Sequence, residues 1–209
     1  MPDIEKEYVS IIKNNNNMFE HILWTNDNLP PLPDKLQRIY DTLGQREDYA
    51  FQADILRLFV VYKFGGLYLD VDFKFVNTFN NADFFNTDGV FFYHKSFNPT
   101  WGPDLTSPNG IFGANKDSDV IGFMIDCIDE HNWWVGPSWM GQTIRKYFNL
   151  PENTSHEELE ARLREKNFTY YPFHLLEEQY VRHLALASWI PEHRLQFKNG
   201  NINFQKGVK

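Results

Sequence analysis

The sequence predicts an α/β fold with a mostly parallel central sheet flanked by helices. Strand-like and helix-like runs alternate along the chain, which is the pattern of a sheet covered by helices. From Asp48 to Phe64 the period is helical, with Ile55, Leu58, Phe59 and Tyr62 recurring at three- and four-residue spacing. Gly65-Gly66 stops that helix. From Leu67 to Val76 the period becomes two: Leu67, Leu69, Val71, Phe73 and Phe75 share one face, Tyr68, Asp70, Asp72 and Lys74 the other.

The remaining elements follow in order. Ile4 to Ile12 reads as a short helix, broken at Asn14 to Asn17. Phe19 to Trp24 reads as a strand, ending in the polar turn Thr25-Asn26-Asp27-Asn28. Pro33 suits the first turn of a helix reaching about Leu43. Gly89 to Tyr93 and Gly110 to Ala114 are further strands, joined by a long loop from His94 to Pro108 that carries Trp101. Helices are expected at Ser118 to His131, Pro137 to Phe148 and Ser155 to Lys166, then a short strand at Phe168 to Tyr171. No repeat or linker divides the chain, so residues 1–209 read as a single domain.

Composition narrows the function classes. A formal charge of −8 argues against nonspecific nucleic-acid binding, which relies on basic surface. An anionic substrate then needs a metal or a few arginines. The one cysteine, Cys127, excludes an intrachain disulfide, and its apolar neighbours suggest a buried thiol. No stretch approaches the roughly 18 apolar residues of a membrane span, and the charged N-terminus does not read as a signal peptide. The expectation is a cytoplasmic protein.

Chemistry concentrates in a few residues. Asp70 and Asp72, two apart on a strand, would point the same way and share a hard divalent cation with a diphosphate. The same pattern recurs at Asp117-Ser118-Asp119, but ahead of a helical run, where it reads as an N-cap with acid in the first turn. Asp54 and Arg57, three apart on the preceding helix, share a face; they read either as a surface ion pair or as a grip on sugar hydroxyls and phosphate. Trp24 is either rim packing or a flat surface for a nucleobase. His183 is a candidate ligand for Mn²⁺.

Together, Gln52-Ala53-Asp54-Ile55-Leu56-Arg57 and Tyr62-Lys63-Phe64-Gly65-Gly66-Leu67-Tyr68-Leu69-Asp70-Val71-Asp72 resemble the defining block of the DXD-containing glycosyltransferases of family 32. Ala53 stands where a Ser is usual. Phe19 to Trp24, Asn109 to Ala114, Val135-Gly136-Pro137, Tyr171-Pro172, His183 and Ser188-Trp189 extend the resemblance, which is nearest in its compactness to domains encoded by large algal viruses.

The resemblance implies a GT-A fold, Mn²⁺ or Mg²⁺, a nucleotide-sugar donor (a UDP-sugar most often), a glycan acceptor and retention of configuration. A viral source would place the protein in host cytoplasm. The nucleotide side would comprise Trp24, Thr25, Gly66, Tyr68, Ser188 and Trp189. Asp54 and Arg57 would hold the donor sugar. Asp72, Asp70 and His183 would serve the metal, with His174 the competitor for the third position. The N-terminal half would bind donor and the C-terminal half face the acceptor. The competing readings are a sugar-nucleotide hydrolase or pyrophosphorylase, and a carbohydrate-binding module without turnover.

Overall fold

The computed structural model describes residues 10–11, 13–14, 19–80, 82–94, 97–98, 102–103, 105–131 and 134–184. Two helices open it, α1 (Asp34–Gln45) and α2 (Tyr49–Phe64), followed by β1 (Gly66–Leu69) and β2 (Phe73–Phe75). A 3₁₀ turn (Asp83–Phe85) leads to β3 (Gly89–Tyr93), the short β4 (Phe97–Asn98) and β5 (Gly102–Pro103), and β6 (Ile111–Ala114). Helices α3 (Asp119–Asp126), α4 (Pro137–Tyr147) and α5 (His156–Glu165) precede β7 (Phe168–Pro172), α6 (Phe173–Gln179) and β8 (Val181–His183).

The main sheet has the order β1-β6-β3-β7. It is mixed, not mostly parallel: β6 runs antiparallel to both β1 and β3, and only β3 and β7 pair parallel. Among its described residues the connection between β3 and β6 carries no helix, and β6 runs back along β3. The connection from β6 to β7 carries three helices and restores the original direction. β1, β3 and β7 therefore point the same way. Their carboxyl ends share one edge of the sheet with the start of β6, the place where ligands bind in open α/β sheets.

The sheet is buried on both faces, as the unbroken apolar run of β3 requires. Phe91 and Tyr93 face a helical layer built on Leu36, Ile55, Leu58, Ile121 and Ile144. Val90 and Phe92 face the other way, onto Phe73, Phe75, Phe84 and Phe173. The helix α2 is apolar almost all round and runs through the first layer with Ile55, Leu58, Val60 and Val61 buried.

Several sequence expectations hold with small shifts. α2 ends at Gly65, whose φ of 71° and backbone contact suit only glycine: a Cβ there would lie 2.7 Å from the Lys116 nitrogen. Ser118 caps α3, its hydroxyl accepting from the Ile121 amide, and Asp119 sits in the first turn. The turn at Thr25 closes through Asn28, whose side-chain oxygen accepts from the Thr25 amide at 2.7 Å.

Others are corrected. Phe19 to Trp24 is irregular and pairs with no strand among the described residues. The run Leu67 to Val76 is two strands in two sheets, with Asp70-Val71-Asp72 as the turn between them; β2 leaves β1 to pair with β8. The period-two pattern survives the turn because Leu67, Leu69, Phe73 and Phe75 all reach the same apolar layer. The helix from Ser118 stops at Asp126, with Cys127 half-buried beyond it. The expected helix at Ile4 to Ile12 falls mostly outside the described residues, as do Trp101, Ser188 and Trp189.

Candidate active site

Arg57 lies near the middle of α2 and is 7% exposed. A guanidinium stays charged when buried, so it requires partners. Its Nη2 meets Asp54 at 3.2 Å and Asp70 at 3.5 Å. Its Nη1 donates to the Asn109 carbonyl at 2.7 Å, and the group lies 5.0 Å from the centre of the Tyr68 ring. Burial opposes the charge, yet Tyr68, Asp70, Asp54 and Asp72 together raise the Arg57 pKa.

The carboxylates are fixed from their far sides. The Asn109 amide donates to Asp54 at 2.8 Å and to the Val135 carbonyl at 3.2 Å. Tyr68 donates its hydroxyl to Asp70 at 2.6 Å. Burial raises the pKa of Asp54 to about 6, against the opposing charge of Arg57. Asp70 is raised for the same reason, with Arg57 and the Tyr68 hydroxyl pulling it down. Gly110 lets Asp70 seat against the start of β6, since a Cβ there would lie 2.7 Å from the carboxylate. The Asp70 amide donates to the Gly110 carbonyl at 2.8 Å.

Asp72 occupies the next corner. β8 brings His183 opposite Phe73, and the imidazole stacks on that ring with centroids 4.5 Å apart. His183 Nε2 thereby stands 3.5 Å from Asp72. Burial works against the imidazolium, but the hydrogen bond and charge of Asp72, with Asp70 and Glu177, outweigh it and raise the His183 pKa. His174 is exposed on α6.

Among the described residues no three acidic, histidine or cysteine side chains converge to enclose a cation. Asp70 turns its Oδ1 to Arg57 and Tyr68, leaving Asp72 with His183 as the pair at this corner. One or two protein ligands suit Mg²⁺ or Mn²⁺ that draws its remaining oxygens from substrate phosphates and water. The donor set fits a shared metal and does not form a closed protein cage.

Beside this centre lies a cleft of about 220 Å³, lined by Trp24, Phe64, Gly66, Tyr68 and Val71 among others. Trp24 stacks on Phe64, centroids 5.2 Å apart. Three of the residues expected on the nucleotide side thus share one cleft; Thr25 sits in the exposed turn next to it and does not line it. Asn109 was not singled out as a site residue from sequence. Its signal was its place directly before Gly110 at the mouth of a strand.

Residues 2–87 match the family described as the glycosyltransferase sugar-binding region containing a DXD motif. Over that stretch the chain is similar to a glycosyltransferase domain. The matched stretch includes Asp54, Arg57, Tyr68, Asp70 and Asp72 and stops before β3. Among solved structures, the glycosyltransferase of PaToxG is similar to this chain at 22% identity and a TM-score of 0.46, over 63% of this chain and 47% of that one. The chain spans about half the length of that protein. No curated protein matches the chain. These comparisons lend no support to the likeness to domains of large algal viruses. Among the described residues no helix is long and apolar enough to cross a membrane.

Proposed function

We propose that this chain is a GT-A glycosyltransferase that moves a hexose or deoxyhexose from a nucleotide-diphosphate sugar to a glycan acceptor, with a divalent metal bound at Asp72. The observation that carries the reading is the buried Arg57 gripped by Asp54 and Asp70 at the carboxyl end of β1. A surface ion pair has no reason to be buried, and a buried pair replaced by apolar residues is often no less stable. A binding site for a polyhydroxylated, anionic ligand does need that arrangement. Asp54 offers an acceptor and Arg57 donors to the sugar, and Trp24 with Gly66 and Tyr68 line the cleft for the base. UDP fits this role.

A Mn²⁺ or Mg²⁺ ion held by Asp72, with His183 beside it, would neutralise charge on the departing diphosphate. Arg57 adds a fixed positive charge from the protein side. Tyr68 holds Asp70 turned toward Arg57, so that pair is organised before substrate arrives. Retention of configuration is the stereochemical outcome we assign. Ser188 and Trp189 are proposed to close on the diphosphate, and the side of the molecule built from the C-terminal half to receive the acceptor.

The test is thermal unfolding with UDP, GDP and CDP, with and without Mn²⁺. Ligand at a hundred times its dissociation constant adds about 2.7 kcal/mol, a rise of roughly 5–10 °C for a chain of this size. A Mn²⁺-dependent rise with one nucleotide, lost in Asp72→Ala, is the expected result. No rise with any nucleotide would favour a carbohydrate-binding module.

A further inference from the structure

Phe51, Asp54 and Arg57 follow one another at three-residue spacing on α2, so they lie along one stripe of the helix. The stripe ends buried at Arg57. Phe51 is half-buried, and the Asp54 and Arg57 side chains are only 13% and 8% exposed. At the open end Trp134 is 57% exposed and leans on Phe51, with ring centroids 5.4 Å apart and planes 53° apart. Phe51 itself packs on the helical core layer, so the indole rests on a fixed support.

Trp134 is also tied to the polar centre. Its neighbour Val135 is buried, and the Val135 carbonyl takes one hydrogen of the Asn109 amide whose other hydrogen goes to Asp54. One amide therefore fixes the position of the carboxylate and of the segment that presents the indole. An exposed tryptophan held this way, beside a carboxylate, matches what a pyranose ring requires. One face of the ring is a patch of C–H groups suited to the negative face of an aromatic ring, and its rim is hydroxyls suited to a carboxylate.

Order along the site decides which sugar sits there. Asp72 with His183 marks the diphosphate end. Asp70, Arg57 and Asp54 follow, linked through the shared guanidinium, and Trp134 joins the Asp54 end of the series through Phe51, one turn before Asp54 on α2, and through the Asn109 amide that Val135 and Asp54 share. The donor sugar occupies the middle of that series, so the ring on Trp134 is the next one out. We propose that Trp134, supported by Phe51, is the platform for the acceptor sugar, and that a pyranose-terminated glycan is the class of acceptor. This inference rests on the transferase reading above.

The test uses the full chain and the methyl α- and β-pyranosides of glucose, galactose and mannose as probes. Saturation-transfer NMR and quenching of tryptophan fluorescence follow glycoside binding, and calorimetry follows UDP and GDP with Mn²⁺ in the same samples. The expected result is that at least one glycoside binds the wild type and that Trp134→Ala weakens it at least tenfold. Trp134→Phe, which keeps an aromatic face, should recover most of that loss, and nucleotide affinity should be unchanged in both variants. Phe51→Leu, which keeps apolar bulk, should weaken the glycoside less than Trp134→Ala. Nucleotide binding with no glycoside bound, or with glycoside affinity unmoved by Trp134→Ala, would overturn the platform alone. Equal loss of nucleotide and glycoside in Trp134→Ala would also overturn it, since the indole would then support the whole site. Absence of nucleotide binding in the wild type would overturn the acceptor role together with the transferase reading.

Discussion

Among the described residues two arginines are buried, and their surroundings differ. Arg57 is surrounded by carboxylates and stands at the sheet edge where the β1 turn and the start of β6 meet. Arg145 on α4 is fully buried and binds the carbonyl oxygens of Leu105, Gly141 and Thr154 at 3.1, 2.9 and 2.9 Å, with the Tyr170 hydroxyl as a further, uncharged partner. Gly141 makes room for this, as a Cβ there would lie 2.3 Å from the Leu105 oxygen. Arg145 is a strut that pins the segment before β6 to two helices. Arg57 is held by groups of opposite charge. Burial alone thus does not mark function; the partners do, because carboxylates can release a guanidinium to an anionic ligand and backbone carbonyls merely consume its donors.

The comparison breaks most severely at Arg57. Arg57→Met leaves Asp54 and Asp70 without their counter-charge, which typically costs about 3–5 kcal/mol. It should also lower turnover by about 10²–10³-fold, the usual loss for one preorganised donor. Urea unfolding and donor turnover measure the two. By contrast, Arg145→Met should lose about 2–3 kcal/mol from orphaned carbonyls, while turnover per folded molecule stays within about threefold. A turnover loss as deep as that of Arg57→Met would mean that the strut and the site are one machine.

A pH series sharpens the electrostatic half. The Asp54 pKa of about 6 lies above the ordinary carboxylate value. The native state therefore holds the proton more tightly than the unfolded chain. The contribution of this group to stability is present below about pH 4 and is lost as pH rises through 6. Asp54→Asn cannot lose it. The variant should gain on the wild type by about 2–3 kcal/mol between pH 4 and 7, and parallel stability curves would contradict the assignment.

The smallest effect belongs to the second D-x-D. Ser118→Ala should cost about 1 kcal/mol as a lost helix cap and leave turnover untouched. Denaturation midpoints and initial rates check it together.

How much of this was legible in the sequence depends on the range of the forces involved. Helix α2, its glycine stop and the cap at Ser118 were readable because they rest on local spacing and backbone conformation. The cluster of Asp54, Arg57 and Asp70 was half readable: the helix put two of them on one face, but their burial came from Asn109 and Gly110, some fifty residues away in sequence. The straight strand through Asp70 and Asp72 was misread because alternation looks the same on either side of a turn that keeps Leu69 and Phe73 in one apolar layer. The sheet directions were misread because the connection between β3 and β6, with no helix among its described residues, has no sequence periodicity to follow. The approach of His183 to Asp72 follows from the pairing of β2 with β8, which no local pattern announces.

The most direct test is release of nucleoside diphosphate from a panel of UDP- and GDP-sugars with a pyranoside acceptor, with and without Mn²⁺, in wild type and Asp72→Asn. Metal-dependent release from one donor, reduced at least a hundredfold in Asp72→Asn, is the predicted result. No release from any donor, or equal release from the variant, would contradict a donor site organised by Arg57 and completed by metal at Asp72.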